Sequence, residues 1–203
     1  MTFNLFLKGG PVMWPLLVAS LVSFSVVIER LLFLWRIKMS RRPQIVKAIL
    51  TDVQHGNIDK AIKEGQDCQD YVAASLVYGL THREDALANA LMQAASIELK
   101  RFSRGLVVLD TTITVAPLLG LLGTVTGMIH AFGLLGSSEL QTPTVITGGI
   151  AQALIATACG LAIAIIALIP FNYLNARLEE ARHEIEQAAT HLELLLLKLE
   201  KKS

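Results

Sequence analysis

Three long apolar stretches decide, more than any other feature, what this chain can fold into: residues 12–35, 105–135 and 145–173. A helix crosses a hydrocarbon core of roughly 30 Å with about 20 mainly apolar residues, and each stretch is that long. Trp14 and Trp35 bracket the first, 21 positions apart. At about 1.5 Å per residue that is about 31 Å, the separation of aromatic anchors at the two faces of a bilayer. The second and third stretches exceed a perpendicular crossing, so they tilt or continue as helix beyond the lipid. Composition agrees: 53% of residues are hydrophobic and 17% charged, against about 45–50% and about 25% in soluble domains. The expected fold is an all-α membrane protein with three transmembrane helices and long cytoplasmic helical extensions.

Lysine and arginine orient the spans. Lys8 alone precedes the first span and none occurs in the Gly136–Thr144 connection. Arg36, Lys38, Arg41, Arg42, Lys100, Arg101, Arg104, Arg177 and Arg182 flank the spans on the other side. The positive-inside rule then makes residues 1–11 an external N-terminus, 36–104 a cytoplasmic helical region, 136–144 an external loop and 174–203 a cytoplasmic C-terminal helix. The first apolar run has its positive flank after it and no small-residue cleavage site follows, so no cleaved leader is expected. Net charge is +1, which leaves no basic field for nucleic acid. Cys68 sits in a polar stretch and Cys159 inside an apolar run, without ligand spacing, so both read as small hydrophobes rather than disulfide, redox or metal groups. The five histidines, His55, His82, His130, His183 and His191, are dispersed. With no nucleophile and base to pair, neither an enzyme nor a cofactor is expected.

The polar segments read as helices. Pro43 starts a helix over Gln44–Gln54. Asn57 caps Ile58–Lys63, with Gly65 as the stop. From Glu84 to Arg104 apolar residues keep helical spacing without Gly or Pro and run into the second span, which predicts one continuous helix. Beyond the third span Leu178, Ile185, Leu192 and Leu199 recur every seven residues, with Ala181, Ala188 and Leu195 between them. That pattern predicts a helical bundle, formed either within one chain or between chains.

Inside the membrane the small residues are ordered. In the second span Gly120, Gly123, Thr124, Gly127 and Ala131 draw one close-packing stripe, just after Pro117. The third span repeats it with Gly149, Ala153, Ala156, Thr157, Gly160, Ala164 and Ala167. Two stripes mark more helix contact than one protomer needs, so an oligomeric bundle is expected. Thr124 and Thr157 both fall roughly 15–18 Å below the outer surface, near the midplane. A threonine there either bonds its own helix and merely packs, or offers its hydroxyl to something else. No acidic residue lies at mid-depth: Glu29, Arg30 and Asp110 stand near the inner ends, where they pair or reach the interface. If protons cross, the titrating carboxylate must come from a partner.

Two long segments carry a resemblance. Ala116-Pro117-Leu118-Leu119-Gly120-Leu121-Leu122-Gly123-Thr124-Val125-Thr126-Gly127-Met128 and Gly149-Ile150-Ala151-Gln152-Ala153-Leu154-Ile155-Ala156-Thr157-Ala158-Cys159-Gly160-Leu161 resemble the ExbB/TolQ/MotA proton-channel subunits, in the family's order, over about residues 10–180. Three spans fit the ExbB/TolQ branch; the flagellar branch has four. The resemblance implies a homopentamer in the bacterial inner membrane, its second and third helices lining a largely apolar pore around a dimer of a single-span ExbD/TolR-like partner. The partner's aspartate carries the proton, and rotation drives a TonB- or TolA-like transducer. Thr124 and Thr157 match the family's pore threonines, Gln152 falls on the same pathway, and Glu29-Arg30 resembles an interfacial charge pair. Pro117, Gly120, Gly123, Gly127, Gly149 and Gly160 are then helix-packing positions.

Two departures stand out. Many relatives carry glutamate where this chain has Gln152, an amide that cannot titrate. The usual Ala-Ile-Pro-Ala reads Ala164-Ile165-Ile166-Ala167, with a proline only at Pro170, so any kink moves about one turn. Each charge crossing the membrane releases about 2.3 kcal/mol per 100 mV, enough for a few protons to do mechanical work. Two other readings compete with an ExbB/TolQ-type motor in biopolymer transport: a flagellar or gliding stator, and an oligomeric membrane scaffold that conducts nothing.

Overall fold

A computed structural model describes residues 9–133 and 143–201. The expected external segments, 1–11 and 136–144, lie largely outside the described residues. Seven helices and no strand occur among those described: α1 Met13–Ser40, α2 Pro43–Gln54, α3 Ile58–Gln66, α4 Tyr71–Thr81, α5 Arg83–Ser103, α6 Leu106–Gly133 and α7 Pro143–Glu200. Three of them, α1, α6 and α7, are long and apolar enough to cross a bilayer. The chain is thus an all-α, multi-pass membrane protein. It divides into two units, Met1–Arg30 with Gly105–Tyr173, and Leu31–Arg104 with Leu174–Ser203.

In the first unit the two small-residue stripes meet face to face. A Cβ built on Gly120 would lie 3.0 Å from the Thr157 Cα, one on Gly123 2.5 Å from the Ala156 Cβ, and one on Gly149 2.7 Å from the Ala131 Cβ. Glycine and alanine therefore let the α6 and α7 backbones touch, where van der Waals contact must replace a hydrophobic drive that lipid does not supply. The start of α1 closes this layer: Val12, Met13 and Leu16 pack with Ala116, Ala156 and Ala164, flanked by Leu119, Cys159 and Ile163. Within one chain the two stripes therefore pack largely against each other. Helix α6 runs on through Pro117 and α7 through Pro170.

The second unit has an ordinary apolar core. Ile49, Val53, Ala61, Ala73, Leu76, Leu80, Leu91, Leu192 and Leu195 are buried together, with Ala188 and Leu199 against them. The heptad pattern at the end of α7 therefore serves an intramolecular bundle. Local details differ from expectation. Asn57 precedes α3 but makes no side-chain cap, and Gly65 does not stop that helix. Gly65 is a packing glycine, since a Cβ there would strike Val77 and lie 2.8 Å from the Ile49 Cδ1. The continuous helix expected into the second span is broken: α5 ends at Ser103, and Gly105 takes a left-handed φ of 81° before α6 begins. Helix α5 is itself interrupted near its start, where Ala86 is extended.

Candidate functional site

Threonine shapes the membrane site because its hydroxyl must find an acceptor wherever water is absent, and two choices exist: a carbonyl of its own helix or one of a neighbour. Thr124 takes the first, donating to the Leu121 carbonyl at 2.6 Å. Thr157 takes the second, donating across the helix pair to the Gly120 carbonyl at 2.8 Å. Gly120 is one turn before Thr124, and in an α-helix its carbonyl also accepts the Thr124 amide. The Thr157 hydroxyl thus meets α6 at the turn that ends on Thr124. Both side chains are half-buried.

On the same face of α6, Thr124, Val125, Met128, Ile129, Phe132 and Gly133 line an open hollow of about 700 Å³. Its walls are apolar apart from the Thr124 hydroxyl. The Gln152 amide lies over Gly10, just before α1, whose φ of 77° and lack of a side chain leave room for it. Pro117 stands beside the glycines on α6, and the packing glycines occupy the seam described above.

The charged pair resolves into unequal partners. Arg30 is buried, while Glu29, the residue before it, is exposed. The Arg30 Nε donates to the Glu29 Oε2 at 2.6 Å, and the Arg30 Nη2 donates to Oε1. The stem of Arg30 covers Gly105, 3.5 Å from where a Cβ would be. Among the described residues of this unit the other charged or titratable groups are Asp110, His130, Cys159 and Tyr173. None of these is a carboxylate near the threonines.

A second polar cluster escaped the sequence reading. Asp70, fully buried in the second unit, accepts the Val72 amide at 2.9 Å, the Arg42 amide at 2.7 Å and Arg41 Nη1 at 2.9 Å. One carboxylate therefore caps α4 and holds the residue at which α2 begins. Arg41 also reaches Glu184 at 2.7 Å and lies over the Tyr71 ring, 4.5 Å from its centre. The Tyr71 hydroxyl donates to Glu184. Burial first, and then this bond to a carboxylate, push the Tyr71 hydroxyl pKa well above the usual tyrosine range. A single aspartate immediately before an eleven-residue apolar helix was the available signal. Among the described residues no group of three or more His, Cys, Asp or Glu is placed to hold a metal.

Comparison with known proteins bears on the seam. The model of the MotA/TolQ/ExbB proton channel family matches residues 58–187, which contain both threonines and both glycine stripes. The ExbB-like 1 biopolymer transport protein of Synechocystis sp. is 34% identical over 197 residues, covering 94% of this chain and 77% of that protein. The biopolymer transport protein ExbB of Neisseria meningitidis serogroup B is 27% identical over 210 residues, 95% of each chain. The Tol-Pal system protein TolQ of Pseudomonas aeruginosa is 39% identical over 95 residues, 47% of this chain and 41% of that protein.

Proposed function

The chain belongs to the MotA/TolQ/ExbB proton channel family, and from that premise we propose that it is the channel-forming, stator-like subunit of an ExbB/TolQ-type motor. In this reading it resides in the bacterial inner membrane as a homopentamer around a dimer of a single-span, ExbD/TolR-like partner. Proton flow down the gradient does mechanical work on a TonB- or TolA-like transducer and, through it, on a periplasmic or outer-membrane client.

The observation that carries the reading is the threonine seam: two hydroxyls of spanning helices one helical turn apart along α6, beside an apolar hollow, with no carboxylate near them among the described residues of this unit. Hydroxyls can hold a carboxyl group or its water but cannot carry a proton at neutral pH, so the carrier is supplied in trans. The apolar hollow suits the side of a partner helix. Gln152, directed at Gly10, serves helix packing in this account rather than the pathway.

Reconstitution into proteoliposomes with an imposed gradient tests it. The chain alone should pass few protons, and addition of the single-span partner should raise the flux severalfold. Flux of full magnitude without the partner would overturn the proposal.

A further inference from the structure

The positive-inside rule counts the cations beside the spans alike, but the structure divides them. Arg41 is held by Asp70 and Glu184, Arg101 by Glu98, Arg177 by Glu180 and Arg182 by Glu179. Such exposed pairs stabilise little, yet their two charges largely cancel for any third ion that approaches. Arg36, Lys38, Arg42, Lys100 and Arg104 are different. All five are exposed, and none has an ion pair among the described residues.

These five belong to the second unit, at the end of α1, in its link to α2 and at the end of α5. The Phe33 and Phe102 rings meet edge to face at 5.6 Å, which sets the end of α5 against the end of α1. Arg36 lies three positions beyond Phe33, and Lys100 and Arg104 lie two positions on either side of Phe102. All three are therefore within about 5 Å of that contact along the helix axes. Leu32 and Trp35, both exposed, share one face of α1 with Arg36 at positions i, i+3 and i+4. An apolar face of a helix long enough to cross a bilayer thus runs down to uncompensated positive charge at an interfacial tryptophan.

We propose that the ends of α1 and α5 form a binding site for an anionic phospholipid, its phosphate among Arg36, Lys100 and Arg104 and its acyl chains along Leu32 and Trp35. Arginine bonds two phosphate oxygens at once, and lysine adds a compact charge. Lys38 and Arg42 follow Arg36 in the chain and add attraction to an anionic leaflet. The ligand is a lipid rather than free phosphate, because the cations adjoin an apolar face that an inorganic ion would leave bare. The paired arginines of α7 take no part. Nothing in this site depends on proton flux.

Trp35 is the reporter, since the chain has two tryptophans and Trp14→Phe leaves it alone. The full chain carrying Trp14→Phe is reconstituted into vesicles of phosphatidylcholine with a minor share of phosphatidylglycerol, and acyl-chain bromine is placed on one lipid or the other. Bromine quenches Trp35 on contact. At low salt phosphatidylglycerol should associate at least about threefold more tightly than phosphatidylcholine. The preference should fall toward equality near 1 M salt, where the Debye length is about 3 Å. Arg36→Gln with Lys100→Gln should remove most of it, and Arg182→Gln should leave it unchanged. Equal quenching by the two lipids, or a preference indifferent to salt, would overturn the inference. So would an equal loss in Arg182→Gln, which would assign the effect to net charge. Displacement by inorganic phosphate at constant ionic strength would assign the site to the free ion and overturn the lipid. If the double variant fails to insert, the salt dependence of the Trp14→Phe chain decides.

Discussion

Single residues differ sharply in what they tolerate, and the reason is what each one touches. Gly160 faces the Ala116 carbonyl, a backbone atom that cannot swing aside, whereas a Cβ on Gly148 meets nothing within 4 Å. Gly160→Ala should therefore destabilise the helix pair by about 1–3 kcal/mol, and Gly148→Ala should change stability by no more than about 0.5 kcal/mol. Denaturation of the detergent-solubilised protein in SDS distinguishes them. Tyr71 makes a pH-dependent contribution in the second unit. Its hydroxyl is neutral and bonded to Glu184, and its pKa is raised in the folded state. The stability it lends is complete below the ordinary tyrosine value of about 10 and is lost as pH rises from there through the folded value. Alkaline titration followed by circular dichroism should show that slope, and Tyr71→Phe should lack it. The stripes were legible as residues because small side chains at helical spacing have few other uses in a membrane. The acceptor chosen by Thr157 was not, since its own helix and a neighbouring one offer equivalent carbonyls.

At the scale of elements, periodicity reported the helices and glycine misreported some of their ends. Gly105, read as part of a continuous helix, breaks it, while Gly65, read as a stop, sits inside α3. Both errors have one cause: glycine is used either for a left-handed backbone or for absent volume, and sequence does not say which. Gly56 and Gly105 share the left-handed conformation, with φ of 80° and 81°, but not the surroundings. Gly56 opens onto empty space, and a Cβ on Gly105 would lie 2.9 Å from Val26 Cγ1. Alanine at either site should cost about 1–2 kcal/mol for the backbone alone. Gly105→Ala should cost distinctly more in thermal unfolding, and Gly56→Asn should be nearly neutral, because asparagine tolerates that conformation. Helix α4 was missed although Asp70 caps it, because an apolar run of eleven residues bounded by polar ones has no distinctive period of its own.

For the whole molecule, the outward faces of the three spans decide its solvent. Trp14, Leu21, Phe24, Leu118, Ile129 and Ile169 are all exposed on helices long enough to cross a bilayer. Lipid or neighbouring subunits must cover them. The lysine and arginine asymmetry favours an external N-terminus and an internal C-terminus. In a background with Cys68 and Cys159 replaced, single cysteines introduced for Asn57 and Ser138 should react with an impermeant thiol reagent from opposite sides of the membrane. Labelling of both from one side would refute the three-span topology.

The sequence alone determined the class of molecule, because about 20 consecutive apolar residues have no stable home but a bilayer or a deep core, and three such stretches in 203 residues leave little core to share. It also laid out both small-residue stripes, since helical spacing is a property of one chain read along its length. Pairing was decided only by tertiary structure. Which face meets which depends on contacts of a few tenths of an ångström between segments far apart in sequence. Those contacts turned the stripes on each other, sent the α7 heptads into an intramolecular core, drew Gln152 toward Gly10 and set the Thr157 hydroxyl donating to the Gly120 carbonyl.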